Sequence, residues 1–236
     1  MYSFNSRIRY SEIDATTKQL DLHAIINYFQ DCSTFHSEDV GLGFDYLEQA
    51  NRVWILSSWQ IVIHRFPKLF ETIKTSTWAY DFNTMYGYRN FLMEDEAGET
   101  VAVANSIWVL MDTVSMRPAK VTSIDCARYV LEEKYPMDYA PRKIKLPSTL
   151  TTLEAFPVIK SNIDTNNHVN NGQYIKMAEE YLPTGFEIGE MRAEYRKSAV
   201  LGDIIVPKIQ MGDSICTIVL AGTDDKPYCI IEFIKK

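Results

Sequence analysis

Long apolar runs are missing from the 236-residue sequence, and none approaches the ~20 residues that a helix needs to cross a bilayer. The first fourteen residues, MYSFNSRIRYSEID, lack the apolar core of a secretory signal. The four cysteines are scattered without CxxC spacing, so no structural zinc site is predicted and the thiols are expected to be reduced. These absences exclude the membrane, secreted and metal-finger classes and predict a cytoplasmic chain.

An excess of positive charge is also absent. Lys and Arg number 24 against 31 for Asp and Glu, which gives a net charge of −7 and a sequence pI of about 5.2. Such a surface repels nucleic acid and anionic membranes on average, so we predict neither as a partner. Hydrophobic residues at 46% and charged residues at 23% are the proportions of an ordinary folded domain, which excludes a disordered chain.

What the sequence does contain is one plan used twice. The segment 161–164 (SNID) repeats 11–14 (SEID) at an offset of 150, and each copy precedes an apolar stripe at helical spacing. The stripe residues are Leu22, Ile25, Ile26, Phe29, Cys32 and His36 in the first half, and Tyr174, Met177, Ala178, Tyr181 and Leu182 in the second. Runs rich in β-branched and aromatic residues predict strands over 53–64, 72–82, 86–94, 101–111, 191–199, 204–210, 214–221 and 228–234.

The middle of the chain departs from this plan. Pro136, Pro141 and Pro147, together with several cationic residues, make a polar stretch that is typical of a linker. We therefore predict an N-terminal domain over 1–132, a linker over 133–155 and a C-terminal domain over 156–236. One helix followed by a series of antiparallel strands, done twice, predicts the α+β class with a helix packed against each sheet.

The second copy of the loop is chemically richer than the first. Asp164, Asn166 and His168 lie in the run DTNNHVNN directly before the second helix, whereas the first loop keeps only Asp14. One or two such residues are enough to cap a helix, and a carboxylate, several amides and an imidazole exceed that need. We therefore interpret residues 164–171 as a functional site. The other three histidines, His23, His36 and His64, fit packing or surface positions.

A second polar element follows on the next predicted strand. Charged side chains occupy alternate positions, which puts them on one face of that strand: Glu190, Arg192, Glu194 and Arg196. By itself, such a face fits a solvated surface as well as it fits a site.

Together these motifs resemble the acyl-acyl carrier protein thioesterase family. The pattern D-x-N-x-H-V-N-N at 164–171 is followed by E-Y-R at 194–196, and the first half is similar to the family in WILS at 54–57, RFPK at 65–68 and SIWVLMD at 106–112. The resemblance covers about residues 4–235 and is to the compact bacterial members. It implies two hotdog domains in tandem, each a long helix wrapped by an antiparallel sheet. It also implies hydrolysis of fatty acyl thioesters on acyl carrier protein, which terminates fatty acid synthesis.

The resemblance further implies the residues of the site. The family's catalytic aspartate, asparagine, histidine and glutamate fall on Asp164, Asn166, His168 and Glu194, with no cofactor and no metal. Plant members carry a cysteine at the position of Ala199, so a cysteine–histidine mechanism is not expected in this chain. The acyl chain is expected in the first hotdog, where the candidate lining residues are Tyr28, Phe29, Trp54, Leu56 and Trp108, although core packing is the simpler explanation for each of them taken alone.

The mechanism stays open on the sequence alone. Glu194 could activate water as a general base, or a loop carboxylate could attack the thioester directly. His168, held in one tautomer by its neighbours, would orient water or protonate the departing sulfur. The N–H groups that open the helix near Asn170, Asn171 and Gly172 would meet the oxyanion.

The partner and the function class also keep alternatives. An acidic carrier protein would need a local docking site, and the candidates are the segment 142–145 (RKIK) or Arg192 with Arg196 and Lys197. A non-catalytic acyl-thioester binding module and a hotdog 3-hydroxyacyl dehydratase are the competing functions. Acyl chain length, coenzyme A as the carrier, and a homodimer of chains are left open.

Overall fold

The structure is a computed structural model that describes residues 1–236, and its contacts divide the chain into two units. Unit 1 comprises Met1–Ser57 and Ile63–Tyr139, and unit 2 comprises Ser58–Val62 and Ala140–Lys236. The stretch predicted as a linker, 133–155, is thus divided between the units after Tyr139, and the predicted boundaries at 132 and 155 stay a prediction. No helix combines the length and the apolar character that a membrane crossing requires.

Unit 1 is built on antiparallel strands. They are β1 (Tyr2–Arg7), β2 (Arg52–Ile63, of which Ser58–Val62 belong to unit 2), β3 (Thr72–Asn83), β4 (Tyr86–Asp95), β5 (Thr100–Asp112) and β6 (Arg117–Pro118). Their order is β1-β3-β4-β5-β2, with β6 against β5. The four long strands confirm the predicted runs to within one residue at each end, whereas β1 has no counterpart among the predicted strands.

The helices of unit 1 are α1 (Leu22–Asp39), α2 (Phe44–Gln49) and α3 (Ser123–Cys126). Asp21 caps the N-terminus of α1, because its carboxylate accepts the Ala24 N–H at 2.6 Å. The helix packs against β3 and β1. All six residues of the predicted stripe are buried. Gly41 follows the helix with a φ of +67°, and a Cβ atom there would lie 2.3 Å from Arg128 Nη1.

Unit 2 repeats the plan with a shorter helix. Its strands are β7 (Thr151–Thr152), β8 (Phe156–Pro157), β9 (Ile188–Tyr195), β10 (Ile204–Met211), β11 (Ile215–Ala221) and β12 (Pro227–Lys235). The order is Ser58–Val62 of β2, then β9-β12-β11-β10-β7, with β8 also against β10. Strand β9 begins earlier and ends earlier than the predicted run of 191–199.

Helix α4 (Asn171–Glu179) packs against β11 and β12. It has nine residues, against 18 in α1. Of the predicted stripe, Tyr174 and Ala178 are buried, whereas Tyr181 and Leu182 lie beyond the end of the helix. Both units nevertheless place a helix against antiparallel strands, as the α+β prediction requires.

Candidate active site

The Asp164 carboxylate organises the loop that leads into α4. Its Oδ1 atom accepts the backbone N–H groups of Asn166 at 2.8 Å and of His168 at 3.4 Å, and the Asp164 N–H donates to the His168 carbonyl at 2.8 Å. Asn167 adopts a φ of 60°, a left-handed conformation that asparagine tolerates better than most residues. An isolated bridge between Ile163 and Val169 closes the loop. The carboxylate of Asp164 therefore holds the backbone that presents the other side chains.

The loop around Asp14 in unit 1 has a similar construction and is one residue longer. Asp14 Oδ1 accepts the N–H groups of Thr16 at 3.0 Å and Thr17 at 2.7 Å, and these bonds, led by that of Thr17, lower the pKa of the Asp14 carboxyl. Lys18 takes the left-handed conformation with a φ of 58°, and the Asp14 N–H donates to the Gln19 carbonyl. The repeat seen in the sequence is thus a repeat of backbone geometry, in which Gln19 stands where unit 2 has His168.

His168 and Asn166 are the side chains that this geometry leaves exposed. Neither side chain makes a hydrogen bond or an ion pair with another protein group, since only their backbone N–H groups bond to Asp164. The expectation that neighbours hold the His168 imidazole in one tautomer is therefore wrong for this structure. Both side chains are instead available to water and to a substrate.

The N-terminus of α4 is more occupied than predicted. Asn170 caps the helix, because its Oδ1 accepts the Gly172 N–H at 2.8 Å. The Asn170 N–H itself donates to the Asn162 carbonyl at 2.9 Å. Two of the three N–H groups expected to meet an oxyanion, those of Asn170 and Gly172, are thus already engaged, and that part of the prediction is wrong. The third, on Asn171, stays a prediction.

Ala199 anchors the segment that leaves β9 to this loop. Its carbonyl accepts the Val169 N–H at 2.9 Å, and its N–H donates to the Tyr174 hydroxyl of α4 at 2.8 Å. These two bonds draw the chain out of the β ladder after Tyr195, which explains why β9 ends earlier than predicted. The first of these bonds also places Ala199 beside Val169, the residue after His168.

Glu194, the fourth predicted site residue, lies in a different environment. It is 2% exposed, and its Oε2 accepts the backbone N–H of Ile144 at 2.9 Å. Arg196 donates to both of its oxygens, from Nε to Oε1 at 3.0 Å and from a terminal nitrogen to Oε2 at 3.3 Å. A carboxylate offers about four acceptor positions. Three of those of Glu194 are therefore occupied by the protein itself.

The strand geometry separates Glu194 from the helix. The neighbouring Tyr195 reaches α4, where its hydroxyl donates to the Asn171 carbonyl at 3.1 Å and its ring lies 6.1 Å from that of Tyr174. Since successive side chains of a strand point to opposite faces, Glu194 faces away from α4. No hydrogen bond or ion pair joins its carboxylate to residues 164–168. The structure therefore brings Asp164, Asn166 and His168 together in one loop and does not connect Glu194 to them.

On the charged face of β9, Arg192 and Glu194 are largely withdrawn from solvent, whereas Arg196 is exposed. Arg192 pairs with Glu232 at 2.6 Å and donates to the Pro141 carbonyl at 2.7 Å, so residues 141–144 cover this face. Sequence reasoning missed two partners of Glu194, the Arg196 guanidinium and the Ile144 N–H. The first could have been found, because residues two apart on a strand share a face. The second depends on a segment 50 residues away.

Two buried cysteines, Cys229 and Cys32, are unsuited to nucleophilic chemistry. Cys229 is 0% exposed, and burial raises the pKa of its thiol well above the ordinary value. Burial likewise raises the pKa of Cys32 to about 12. A thiolate is the reactive form of cysteine, so neither side chain provides a nucleophile near neutral pH.

The predicted acyl-lining residues fall into two groups. Tyr28, Phe29 and Leu56 are buried in unit 1 and pack as core. Trp54 and Trp108 are partly exposed; the Trp54 ring lies 5.9 Å from that of Phe82, and Trp108 Nε1 donates to Ser106 Oγ. Their role in acyl binding stays a prediction.

The fold defines a class of protein. A helix against antiparallel strands in each of two units is the arrangement of a tandem hotdog protein. The chain belongs to the acyl-ACP thioesterase family: the family's N-terminal domain profile matches residues 1–129, and its C-terminal domain profile matches residues 147–225.

Individual relatives agree with this assignment. The chain is 25% identical over 210 residues to the chloroplastic palmitoyl-acyl carrier protein thioesterase of Arabidopsis thaliana. The aligned region covers 82% of this chain and 51% of the relative. The Gossypium hirsutum protein of the same name is 26% identical over 234 residues, covering 91% and 56%. The chain thus spans about half the length of the curated relatives that it matches.

Solved structures confirm the predicted fold of tandem hotdog domains. An acyl-ACP thioesterase from Bacteroides thetaiotaomicron superposes with a TM-score of 0.92 at 21% identity, covering 99% of this chain and 97% of the other. The 12:0-ACP thioesterase from Umbellularia californica gives 0.86 at 17% identity, covering 100% and 96%. At these identities the likeness is one of fold.

Proposed function

We propose that this chain hydrolyses the thioester bond of fatty acyl-acyl carrier protein and releases a free fatty acid. The observation that carries the proposal is the loop at 164–170, in which Asp164 holds the backbone and leaves His168 and Asn166 exposed before α4. Membership of the acyl-ACP thioesterase family supports both the reaction and the carrier.

The chemistry needs a group that takes a proton and returns it. In the proposed reaction, His168 accepts a proton from water as the hydroxyl oxygen bonds to the thioester carbonyl carbon. The tetrahedral intermediate then collapses, the C–S bond breaks, and His168 returns the proton to the departing sulfur. Asn166 can donate a hydrogen bond to the carbonyl oxygen as negative charge develops there. Positioned proton transfer contributes about 10²–10⁴-fold to such a rate.

The two carboxylates take different places in this proposal. Asp164 acts through the backbone, because its Oδ1 atom is engaged by two N–H groups of the loop. Arg196 and Ile144 occupy most of the acceptor positions of Glu194, which leaves little room for a water molecule at its carboxylate. The role of Glu194 as a general base stays a prediction. Single turnover in ¹⁸O-labelled water distinguishes water activation from attack by a carboxylate, because only the second puts the label into the protein.

Replacing His168 by Ala tests the proposal, and Gln19→Ala is the matched control because Gln19 holds the same place in the first loop. We expect His168→Ala to lower the rate of free-thiol release from an acyl thioester by about 10²-fold or more, and Gln19→Ala to leave it unchanged. Near-parental hydrolysis by His168→Ala would overturn the site assignment. Binding of the thioester without thiol release, or loss of water from a 3-hydroxyacyl thioester, would overturn the function.

Glu194→Gln tests the role of the second carboxylate. A general base acts on every substrate, so its removal lowers turnover of a small soluble thioester by about 10²-fold, as well as that of the carrier-bound one. Retention of turnover with the small thioester would exclude the general-base role for Glu194.

A further inference from the structure

The negative charge of the chain is confined to one of its two units. Unit 1 has 12 Lys and Arg residues against 19 Asp and Glu, whereas unit 2 has 12 of each. The whole net charge of −7 therefore belongs to unit 1, and unit 2 is neutral. A partner with strong negative charge is consequently repelled less by unit 2, which also contains the proposed site.

Within unit 2, the buried Glu194 carboxylate joins two basic segments. It accepts the Ile144 N–H at 2.9 Å and the Arg196 Nε at 3.0 Å, so residues 143–145 and 196–197 meet at one carboxylate. The Arg192 bond to the Pro141 carbonyl and the Ala140 N–H bond to Gln60 hold the approach of the first segment. The two segments considered as alternative docking sites in the sequence are therefore one surface in the structure.

The packing of Ile144 turns the lysines of this surface outward. Ile144 is 4% exposed and lies in an apolar cluster with Val219, Ala221 and Ile230. Lys143 and Lys145 flank it in the chain, and both are exposed. Neither lysine makes an ion pair. Two unpaired ammonium groups thus project from a segment whose backbone is fixed by hydrogen bonds.

Lys197 extends the surface toward the site. It is exposed and makes no ion pair, and its Nζ lies 5.2 Å from the centroid of the Tyr228 ring. The nearby Asp224 pairs with Lys226 at 3.4 Å. The pKa of the Asp224 carboxyl is lowered mainly by a hydrogen bond from the Lys226 backbone and slightly by the charge of Lys197. Two residues beyond Lys197, the Ala199 carbonyl bonds to the Val169 N–H next to His168.

Arg192, by contrast, is not available to a partner. Its guanidinium is ion-paired with Glu232 and donates a hydrogen bond to the Pro141 carbonyl, and its side chain is 15% exposed. We name Lys143, Lys145, Arg196 and Lys197 the basic surface; Arg196 is paired with Glu194, but its side chain is 42% exposed. The basic surface combines outward cations, a fixed backbone and a border with the loop of His168.

We propose that the basic surface docks the acidic carrier protein that presents the acyl thioester to His168. This inference rests on the proposed function and adds the surface through which the partner is recognised. Exposed charges that steer an oppositely charged protein act on the apparent affinity for that protein. They have little effect on a small neutral thioester, which reaches the site without docking.

The charge-reversal variant Lys143→Glu/Lys145→Glu tests the inference. We expect kcat/KM for acyl-acyl carrier protein to fall about tenfold or more at low salt, through KM, and the difference from the parent to shrink as salt is added. With an acyl-N-acetylcysteamine thioester, the rate stays within about twofold. Lys176→Glu/Lys235→Glu is the matched control. It makes the same charge change on α4 and near the end of β12, where Lys235 is the register partner of Ile188.

Direct binding supplies a second readout. Carrier protein bearing the acyl chain through an amide, which is not hydrolysed, is titrated against the parent and both variants. Loss of affinity in the first variant alone supports the inference. Unchanged affinity, an equal loss in the control, or an equal fall with both thioesters overturns it. If the parent hydrolyses neither thioester, the proposed function fails instead, and the binding titration still decides whether the surface docks a carrier.

Discussion

A buried histidine in unit 1 should make the stability of this protein fall as the pH is lowered toward 4. His36, in α1, is 8% exposed, and its Nδ1 lies 3.0 Å from a terminal nitrogen of Arg89. Arg89 is itself buried and has no carboxylate partner; its other contacts are the Thr77 hydroxyl at 3.3 Å and the Tyr129 ring at 5.2 Å. Because the guanidinium can only donate, Nδ1 of His36 must accept and the imidazole must be neutral.

The size of the effect follows from the pKa of this imidazole. Burial, then the charges of Arg89 and of the N-terminal amino group, lower the pKa of His36 from 6.5 to about 4. Since the folded pKa lies below the unfolded one, the unfolded state binds more protons between these values. The stabilisation is complete above pH 6.5 and is lost as the pH falls to 4. It amounts to about 3 kcal/mol in full, and to about 2 kcal/mol between pH 7.5 and pH 5.

Urea unfolding of the parent and of His36→Asn at these two pH values measures the effect. Asn places an oxygen near the position of Nδ1 and does not titrate, so the variant keeps an acceptor for Arg89 but loses the ring contacts with Tyr2 and Tyr129. We expect it to be less stable at pH 7.5 and to lose about 2 kcal/mol less than the parent on going to pH 5. His64→Asn, which removes an exposed histidine, controls for the substitution itself. A parallel loss in the parent and in His36→Asn would refute the reasoning.

Three further predictions concern the loops, the thiols and the core. Asp14→Ala and Asp164→Ala each remove a carboxylate that accepts backbone N–H groups, so each should lower the free energy of unfolding in urea by about 1 kcal/mol. Only Asp164→Ala should also lower turnover. Equal losses of turnover in the two variants would contradict the assignment of the site to unit 2. Cys229→Ser should keep turnover within about twofold of the parent. The folded parent should resist alkylation at Cys229, because burial raises the pKa of this thiol and the thiolate is the reactive form. A large fall in activity would support a cysteine mechanism instead. Phe29→Ala should lower the free energy of unfolding by about 3–5 kcal/mol, because the side chain is 0% exposed and its ring lies 5.2 Å from that of Phe91. A loss below about 1 kcal/mol would mean that this core is loosely packed.

The elements that the sequence predicts well are those whose pattern is local and long. The stripe of α1 runs over about four turns, and the strands β2 to β5 each have ten or more residues. Their periodicity can therefore be recognised in the sequence itself. The sequence predicts the ends of α4 and β9 less well, because tertiary contacts decide them. The bonds of Ala199 to Tyr174 and Val169 take the chain out of the ladder at a point where the side-chain pattern continues.

The environment of Glu194 could be predicted only in part. Its alternate spacing with Arg192 and Arg196 in the sequence predicts a charged face, which the structure contains. The covering of that face by residues 141–144 was not predictable, since it depends on a stretch without periodicity that crosses the sheet. A carboxylate whose surroundings come from a distant segment carries no local signal of whether it is solvated, paired or catalytic. Its role therefore has to be tested by substitution.

The two aspartate loops separate what folding requires from what chemistry requires. In both, the aspartate bonds to the backbone and one residue takes a left-handed conformation, Lys18 in unit 1 and Asn167 in unit 2. The aspartate is thus explained in each half by the needs of the loop, and its presence alone indicates no activity. The imidazole of His168, unlike that carboxylate, has no structural task in the loop. A side chain that the fold does not need, held exposed by a backbone that the fold does need, is where selection for chemistry can act without cost to stability.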